Sequence, residues 1–155
     1  MNNLVICYFS ASGVTKKVAE KIRQKTNGDL FEIEPINVYT KEDLDWTNKE
    51  SRSTKEMNNR SYRPKVKNKI EEIGKYNKVV IGFPVWWYTA PTIVNTFIED
   101  NNFEDKEIYV FVTSGGSGVD RCLKDLKNTY QNLNFVDGRR IKNEEDIDNF
   151  TKLLK

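Results

Sequence analysis

Three short apolar runs constrain this chain more than any other feature: Leu4-Val5-Ile6-Cys7-Tyr8-Phe9, Val79-Val80-Ile81-Gly82-Phe83 and Ile108-Tyr109-Val110-Phe111-Val112. Each is nearly continuous rather than alternating. Successive side chains of a strand point to opposite faces, so a continuous run has to bury both, as the central strands of a parallel sheet do. Two weaker candidates accompany them. Phe31 and Ile33 alternate with Glu32 and Glu34, and Phe135-Val136 is very short. Half-exposed or short strands suit the edges of a sheet.

Between these runs the apolar spacing becomes helical. Val14, Val18, Ala19 and Ile22 share one face, and Asn27-Gly28 closes that segment. Pro64 suits the first turn of a helix carrying Val66, Ile70 and Ile73 and ended by Gly74. After Pro91 comes a stripe of Ile93, Val94, Phe97 and Ile98. Val119, Cys122, Leu123 and Leu126 form another, and Ile147, Phe150 and Leu154 a last one. All of these stripes read as core-facing. Strands alternating with helices predict one α/β domain over residues 1–155. Its sheet is doubly wound, parallel and five-stranded in the order 2-1-3-4-5, with helices on both faces. The stretch from Asn37 to Arg63 breaks the rhythm. It is long and polar, contains Asp45-Trp46 and Glu56-Met57-Asn58-Asn59-Arg60, and reads as a functional or mobile loop.

Composition removes several classes of function. The chain has 25 Lys+Arg against 23 Asp+Glu and no dense basic run, which argues against a nucleic-acid binder. Lys65, Lys67 and Lys69 read as the solvated face of a helix. Cys7 and Cys122 lie far apart in apolar surroundings, so a disulfide framework is not expected and a reducing cytoplasm is. Met1-Asn2-Asn3 precedes the first apolar run without the basic residues of a signal peptide. No apolar stretch approaches the roughly 18 residues of a membrane span. With no histidine in the sequence, His-based acid–base catalysis and His metal ligation are excluded.

Ligands of an open parallel sheet bind beyond the carboxyl ends of its strands, and three loops there are unusual. After strand one comes Ser10-Ala11-Ser12-Gly13-Val14-Thr15-Lys16, small hydroxyl residues and a glycine leading into a helix. Amides at a helix start receive an anion well, and the Ser10, Ser12 and Thr15 hydroxyls add donors. A plain N-cap by Ser12 or Thr15 is the competing reading. No G-x-x-x-x-G-K-[ST] or G-x-G-x-x-G pattern is present, and neither is the Cys and Arg of a cysteine phosphatase loop. Strand three ends in Phe83-Pro84 where a response regulator would carry its acceptor Asp. After strand three, Pro84-Val85-Trp86-Trp87-Tyr88-Thr89-Ala90-Pro91 puts three adjacent aromatics between prolines. That suits a platform for a flat ligand, with a core edge or partner surface as the alternative. After strand four, Thr113-Ser114-Gly115-Gly116-Ser117-Gly118 leaves backbone amides bare for a ligand edge, although such turns are common. An anion seat, a stacking platform and a hydrogen-bonding rim together describe a flavin mononucleotide.

At these loops the sequence resembles the flavodoxin family, and the resemblance covers nearly the whole chain. Ser10-Ala11-Ser12-Gly13-Val14-Thr15 is similar to that family's phosphate loop, T/S-x-T/S-G-x-T. Gly82-Phe83-Pro84-Val85-Trp86-Trp87 is similar to the aromatic loop of a branch of short bacterial flavodoxin-like proteins, and Thr113 to Gly118 match the third flavin loop. The resemblance implies a flavodoxin-like fold and FMN as cofactor. Ser10, Ser12, Gly13, Val14 and Thr15 would contact the phosphate, with Ala11 in the same loop. Trp86, Trp87 and Tyr88 would flank the isoalloxazine beside Pro84 and Val85. The backbone of Thr113, Ser114, Gly115, Gly116 and Gly118 would meet the pyrimidine edge. It also implies electron transfer, either with a redox partner protein or, as an enzyme, from NAD(P)H to a flavin or quinone-like acceptor. Arg52, Arg60 and Arg63 are candidates for a nucleotide's phosphates, though solvated loop arginines are the simpler reading. A binding module without redox chemistry is the third possibility. Two departures stand out. Electron-carrying flavodoxins are usually strongly acidic, whereas this chain has a formal charge of +2 and a pI near 8.4. The branch also commonly has a glycine where this chain has Tyr88.

Overall fold

A computed structural model describes residues 3–155, leaving Met1 and Asn2, the start of the N-terminal run, outside the described part. The chain runs β1 (Leu4–Tyr8), α1 (Val14–Thr26), β2 (Asp29–Glu32), α2 (Arg52–Asn58), β3 (Lys78–Pro84), α3 (Thr92–Asp100), β4 (Glu107–Thr113), α4 (Asp120–Thr129), β5 (Asn134–Arg140) and α5 (Glu144–Leu153). The sheet order is β2-β1-β3-β4-β5, every pair parallel, with Ile6 beside Val80 and Val80 beside Tyr109. The expected doubly wound sheet is the observed one.

The continuous apolar runs behave as two-sided burial requires. Val5 and Cys7 of β1 join Val79, Ile81 and Val110 in one core, which takes Ile93 and Phe97 from α3 and Cys122 and Leu126 from α4. Leu4, Ile6 and Tyr8 point the other way, into a core with Val80, Phe111, Ala19 and Ile22 of α1, and Ile147 and Phe150 of α5. Each fully buried side chain of this kind contributes about 2 kcal/mol. Gly82 is fixed by this packing, because a Cβ there would stand 2.0 Å from the Phe111 ring.

Four expectations need correction. The chain from Pro64 to Gly74 is not a helix. Val66 bridges Pro35 in antiparallel fashion, Ile36 N donates to Lys65 O at 3.0 Å and Lys67 N to Glu34 O at 2.9 Å. Only Ile73–Lys75 forms a short 3-10 turn. Lys65, Lys67 and Lys69 are exposed, but on an extended strap. Their spacing of two is a strand's period, and a strap can cover the outward side of α3, whose residues Thr92 to Ile98 are all buried. Second, the 37–63 stretch contains α2, started by Ser51, whose hydroxyl accepts from Thr54 N. Third, Val14 is 56% exposed rather than core-facing. Fourth, β5 extends well beyond Phe135-Val136, through Gly138 to Arg140, because backbone pairing with β4 carries an edge strand through polar residues.

Candidate functional site

The three loops meet at the carboxyl edge of β1, β3 and β4. In the first, Gly13 is the residue at the start of α1, with φ of 95°, and offers no side-chain cap of its own. Ser10 Oγ accepts from Gly13 N at 3.0 Å and Lys16 N at 3.2 Å. The simple cap by Ser12 or Thr15 is therefore not what the chain builds. Among the described residues the amides of Val14 and Thr15 and the exposed Ser12 hydroxyl have no partner. A helix start left in this state carries partial positive charge and free donors. The Thr15 hydroxyl is buried and pairs with that of Thr113 at 2.8 Å. That bond ties the first loop to the third.

In the second loop, Trp86 and Thr89 exchange backbone hydrogen bonds of 2.9 and 3.0 Å. Trp87 and Tyr88, between them, both have positive φ, 48° and 68°. This tight turn is anchored from below. Thr89 Oγ1 donates to Asp125 at 2.6 Å, the Cys122 thiol donates to Tyr88 O at 3.8 Å, and Val85 N donates to Thr113 O at 3.0 Å. Trp86 packs edge-on against Phe9 and Tyr39, Trp87 is half-buried, and Tyr88 is 65% exposed. In the third loop Ser114 Oγ donates to Ser117 O. Arg140 donates from Nη2 to Ser114 O at 3.2 Å, while its buried Nε has no partner. Positions where a Cβ would sit on Gly115, Gly116 and Gly118 are open.

Val85, Trp86, Trp87, Tyr88 and Ser117 line a cleft of about 440 Å³, within the usual range for a small-molecule site. Tyr88, Gly116, Ser117 and Gly118 also border an adjoining hollow with Asp120 and Arg121. Residues Ser10 to Thr15 line neither space and reach the cleft through the Thr15–Thr113 bond. Pro84 and Thr113 stand side by side at the ends of β3 and β4 and support the walls. Leu44, Trp46 and Ser53 also line the cleft, although none belongs to a sheet-edge loop. A lone tryptophan in a polar stretch was the one signal in the sequence that pointed to them.

The three arginines are engaged inside the chain. Arg52 lies over the Tyr39 ring at 3.7 Å and pairs with Glu56 at 2.9 Å. Arg60 donates to Ala90 O at 2.9 Å, and Arg63 pairs with Glu99 at 3.0 Å. Burial raises the pKa of both thiols, that of Cys122 to about 12, so neither is a nucleophile near neutral pH. Among the described residues no group of three or more His, Cys, Asp or Glu could hold a metal, and no helix is long and apolar enough to cross a membrane.

A five-stranded parallel sheet with its loops gathered at one carboxyl edge defines the flavodoxin-like α/β class. The chain belongs to the flavodoxin family, whose sequence profile, described as Flavodoxin, matches residues 3–155. It is similar to a crystal structure from Bacteroides eggerthii DSM 20697, of a protein provisionally described as a flavoprotein. The two are 43% identical, with 99% of this chain and 98% of the other covered and a TM-score of 0.93. A flavoprotein from Lactobacillus acidophilus NCFM, solved in complex with FMN, shares the fold at 22% identity and a TM-score of 0.78, covering 97% of this chain and 99% of that one. An uncharacterized NAD(P)H oxidoreductase of Escherichia coli (strain K12), YcaK, is 29% identical over 90 residues. That stretch is 57% of this chain and only 41% of YcaK.

Proposed function

We propose that this protein binds FMN non-covalently and transfers electrons through it. One observation carries the reading: a helix start whose Val14 and Thr15 amides are free is joined, through the Thr15–Thr113 bond and the Val85–Thr113 bond, to a cleft walled by Trp86, Trp87 and Tyr88. The donor set fits the cofactor. A phosphate monoester needs several N–H and O–H donors and room for close approach. Val14 N, Thr15 N and the Ser12 hydroxyl offer the donors, and Gly13 leaves open space where a Cβ would stand. Trp86 and Trp87 would hold the ring by stacking, and the bare amides around Gly115 to Gly118 would meet its polar edge. When bound, the flavin supplies the redox chemistry. The chain's own residues bind and orient it, and no side chain is required as acid or base.

The Lactobacillus complex with FMN supports the cofactor assignment. An NAD(P)H-dependent flavin or quinone reductase is the second reading. Its support is the similarity to YcaK and a hollow beside Trp87 that brings Arg60 and Arg121 together. Titration of the apoprotein with FMN and with riboflavin, followed by flavin fluorescence, tests the proposal. FMN is expected to bind at least roughly a hundredfold more tightly, since charge-assisted hydrogen bonds of about 1.5–3 kcal/mol each are lost with the phosphate. Equal affinities would remove the role of residues 10–15. Bleaching of the yellow holoprotein by NADPH with no second protein present selects the reductase. Persistence of colour selects a carrier that works with a redox partner.

A further inference from the structure

The cleft between the aromatic loop and Ser117 has a wall that the sheet-edge loops do not supply. The loop after β4, Thr113 to Gly118, contains only Thr, Ser and Gly, so it offers a planar ligand no aromatic surface. Leu44 and Trp46, from the chain between β2 and α2, line the cleft instead. Trp46 is 74% exposed, and among the described residues it makes no ring contact with another aromatic. An indole left in water is unfavourable, and a tryptophan usually buries its ring.

Its exposure does not come from a loose backbone. Thr40 N donates to Asp43 Oδ2 at 2.9 Å and Asp43 N returns a bond to Thr40 Oγ1 at 3.1 Å. Leu44 N donates to Thr40 O at 3.2 Å, and Ser53 N to Asp43 O at 2.9 Å. On the far side Asp45 Oδ1 accepts from Thr47 N at 3.0 Å, and Asn48 N donates to Asp45 O at 3.2 Å. Three of these bonds come from side chains within the turn and three from the backbone, the one from Ser53 tying the turn to α2, and together they fix it. The turn is thus held with its indole at the mouth of a cleft whose other walls are Trp86, Trp87 and Tyr88. The occupant that satisfies all four rings is a flat, apolar-faced heterocycle.

We propose that Trp46 is a binding residue of this cleft and lays its indole on the isoalloxazine ring, so that the β2–α2 segment forms part of the cofactor site. This rests on the FMN reading above. The test is a comparison of FMN dissociation constants for wild-type protein, Trp46→Ala and Trp46→Phe, with apoprotein thermal unfolding alongside. Trp46→Ala is expected to raise the Kd roughly tenfold, the size of aromatic stacking on a heterocyclic base. Trp46→Phe should recover most of the loss, and the apo midpoints should stay together because the side chain is exposed. Because the contact is to the ring, riboflavin should weaken by the same factor as FMN. A Trp46→Ala protein with the wild-type Kd overturns the inference while leaving the FMN reading intact. A wild-type protein that takes up no FMN overturns both.

Discussion

Gly13 and Tyr88 both hold positive φ, 95° and 68°, at the ends of β1 and β3, and only one of them is glycine. For Gly13 the choice follows from the backbone alone, since an L residue there costs about 1–2 kcal/mol. Tyr88 accepts that cost at the second central position of a turn that favours glycine or asparagine. Its ring recovers little by burial at 65% exposure. Tyr88→Gly is therefore expected to stabilise the apoprotein by about 1 kcal/mol in urea unfolding. A lower midpoint would mean that the tyrosine ring contributes packing that its exposure conceals. The tyrosine stands in the sequence where the resembling branch commonly has a glycine. That the departure costs backbone strain became visible only with the Trp86–Thr89 hydrogen bonds.

At the level of elements, the region from Asn37 to Asn77 departs most from what its sequence suggested. The spacing of Val66, Ile70 and Ile73 satisfies a helix as well as it satisfies a strap. Local pattern cannot choose between them, because the deciding partners, Pro35 and Glu34, lie some thirty residues earlier. Helix α2 was hidden for a related reason: its inward face is polar. Glu56 is 4% exposed and accepts from the Tyr39 hydroxyl at 2.5 Å and from Arg52 Nε at 2.9 Å, with Tyr39 in turn packed on Trp86. This network fixes the cleft wall from behind. Glu56→Ala should destabilise the protein by about 2 kcal/mol in urea unfolding and weaken the proposed FMN binding together with it. The loss stays moderate because Arg52 keeps Asp43 within 3.9 Å. Glu56→Gln retains an acceptor for Tyr39 and should lose less. If both variants keep wild-type stability, the network is incidental to the fold.

Over the whole molecule the buried phenols and thiols make stability depend on alkaline pH. Burial is the main cause that moves Cys122 from its ordinary 9.0 to about 12. Burial likewise moves Tyr8 and Tyr130 from 10.0 to about 12, and with the Glu56 carboxylate it pushes Tyr39 higher still. For each group the folded state holds its proton more tightly than the unfolded chain. Their contribution is fully present below about pH 9 and is lost as pH rises through about 12. The urea midpoint is expected to hold between pH 7 and 8.5 and to fall steadily between pH 9.5 and 11.5. Native Cys7 and Cys122 should resist alkylation at pH 8 until the protein unfolds. A flat alkaline limb would mean that these groups ionise as readily folded as unfolded.

The sequence by itself determined the sheet, its order, the helices that pack on it and the three loops at its edge. Two-sided burial of β1, β3 and β4 leaves so little freedom that continuous apolar runs with helical segments between them suffice to specify it. Tertiary structure decided the rest: that Ser10 rather than Ser12 or Thr15 satisfies the start of α1, that Thr15 joins Thr113, and that Trp46 enters the cleft. Each of these is a contact between residues distant in the chain or a choice among chemically equivalent hydroxyls. Periodicity and spacing carry no information about such choices until the sheet has brought the candidates together.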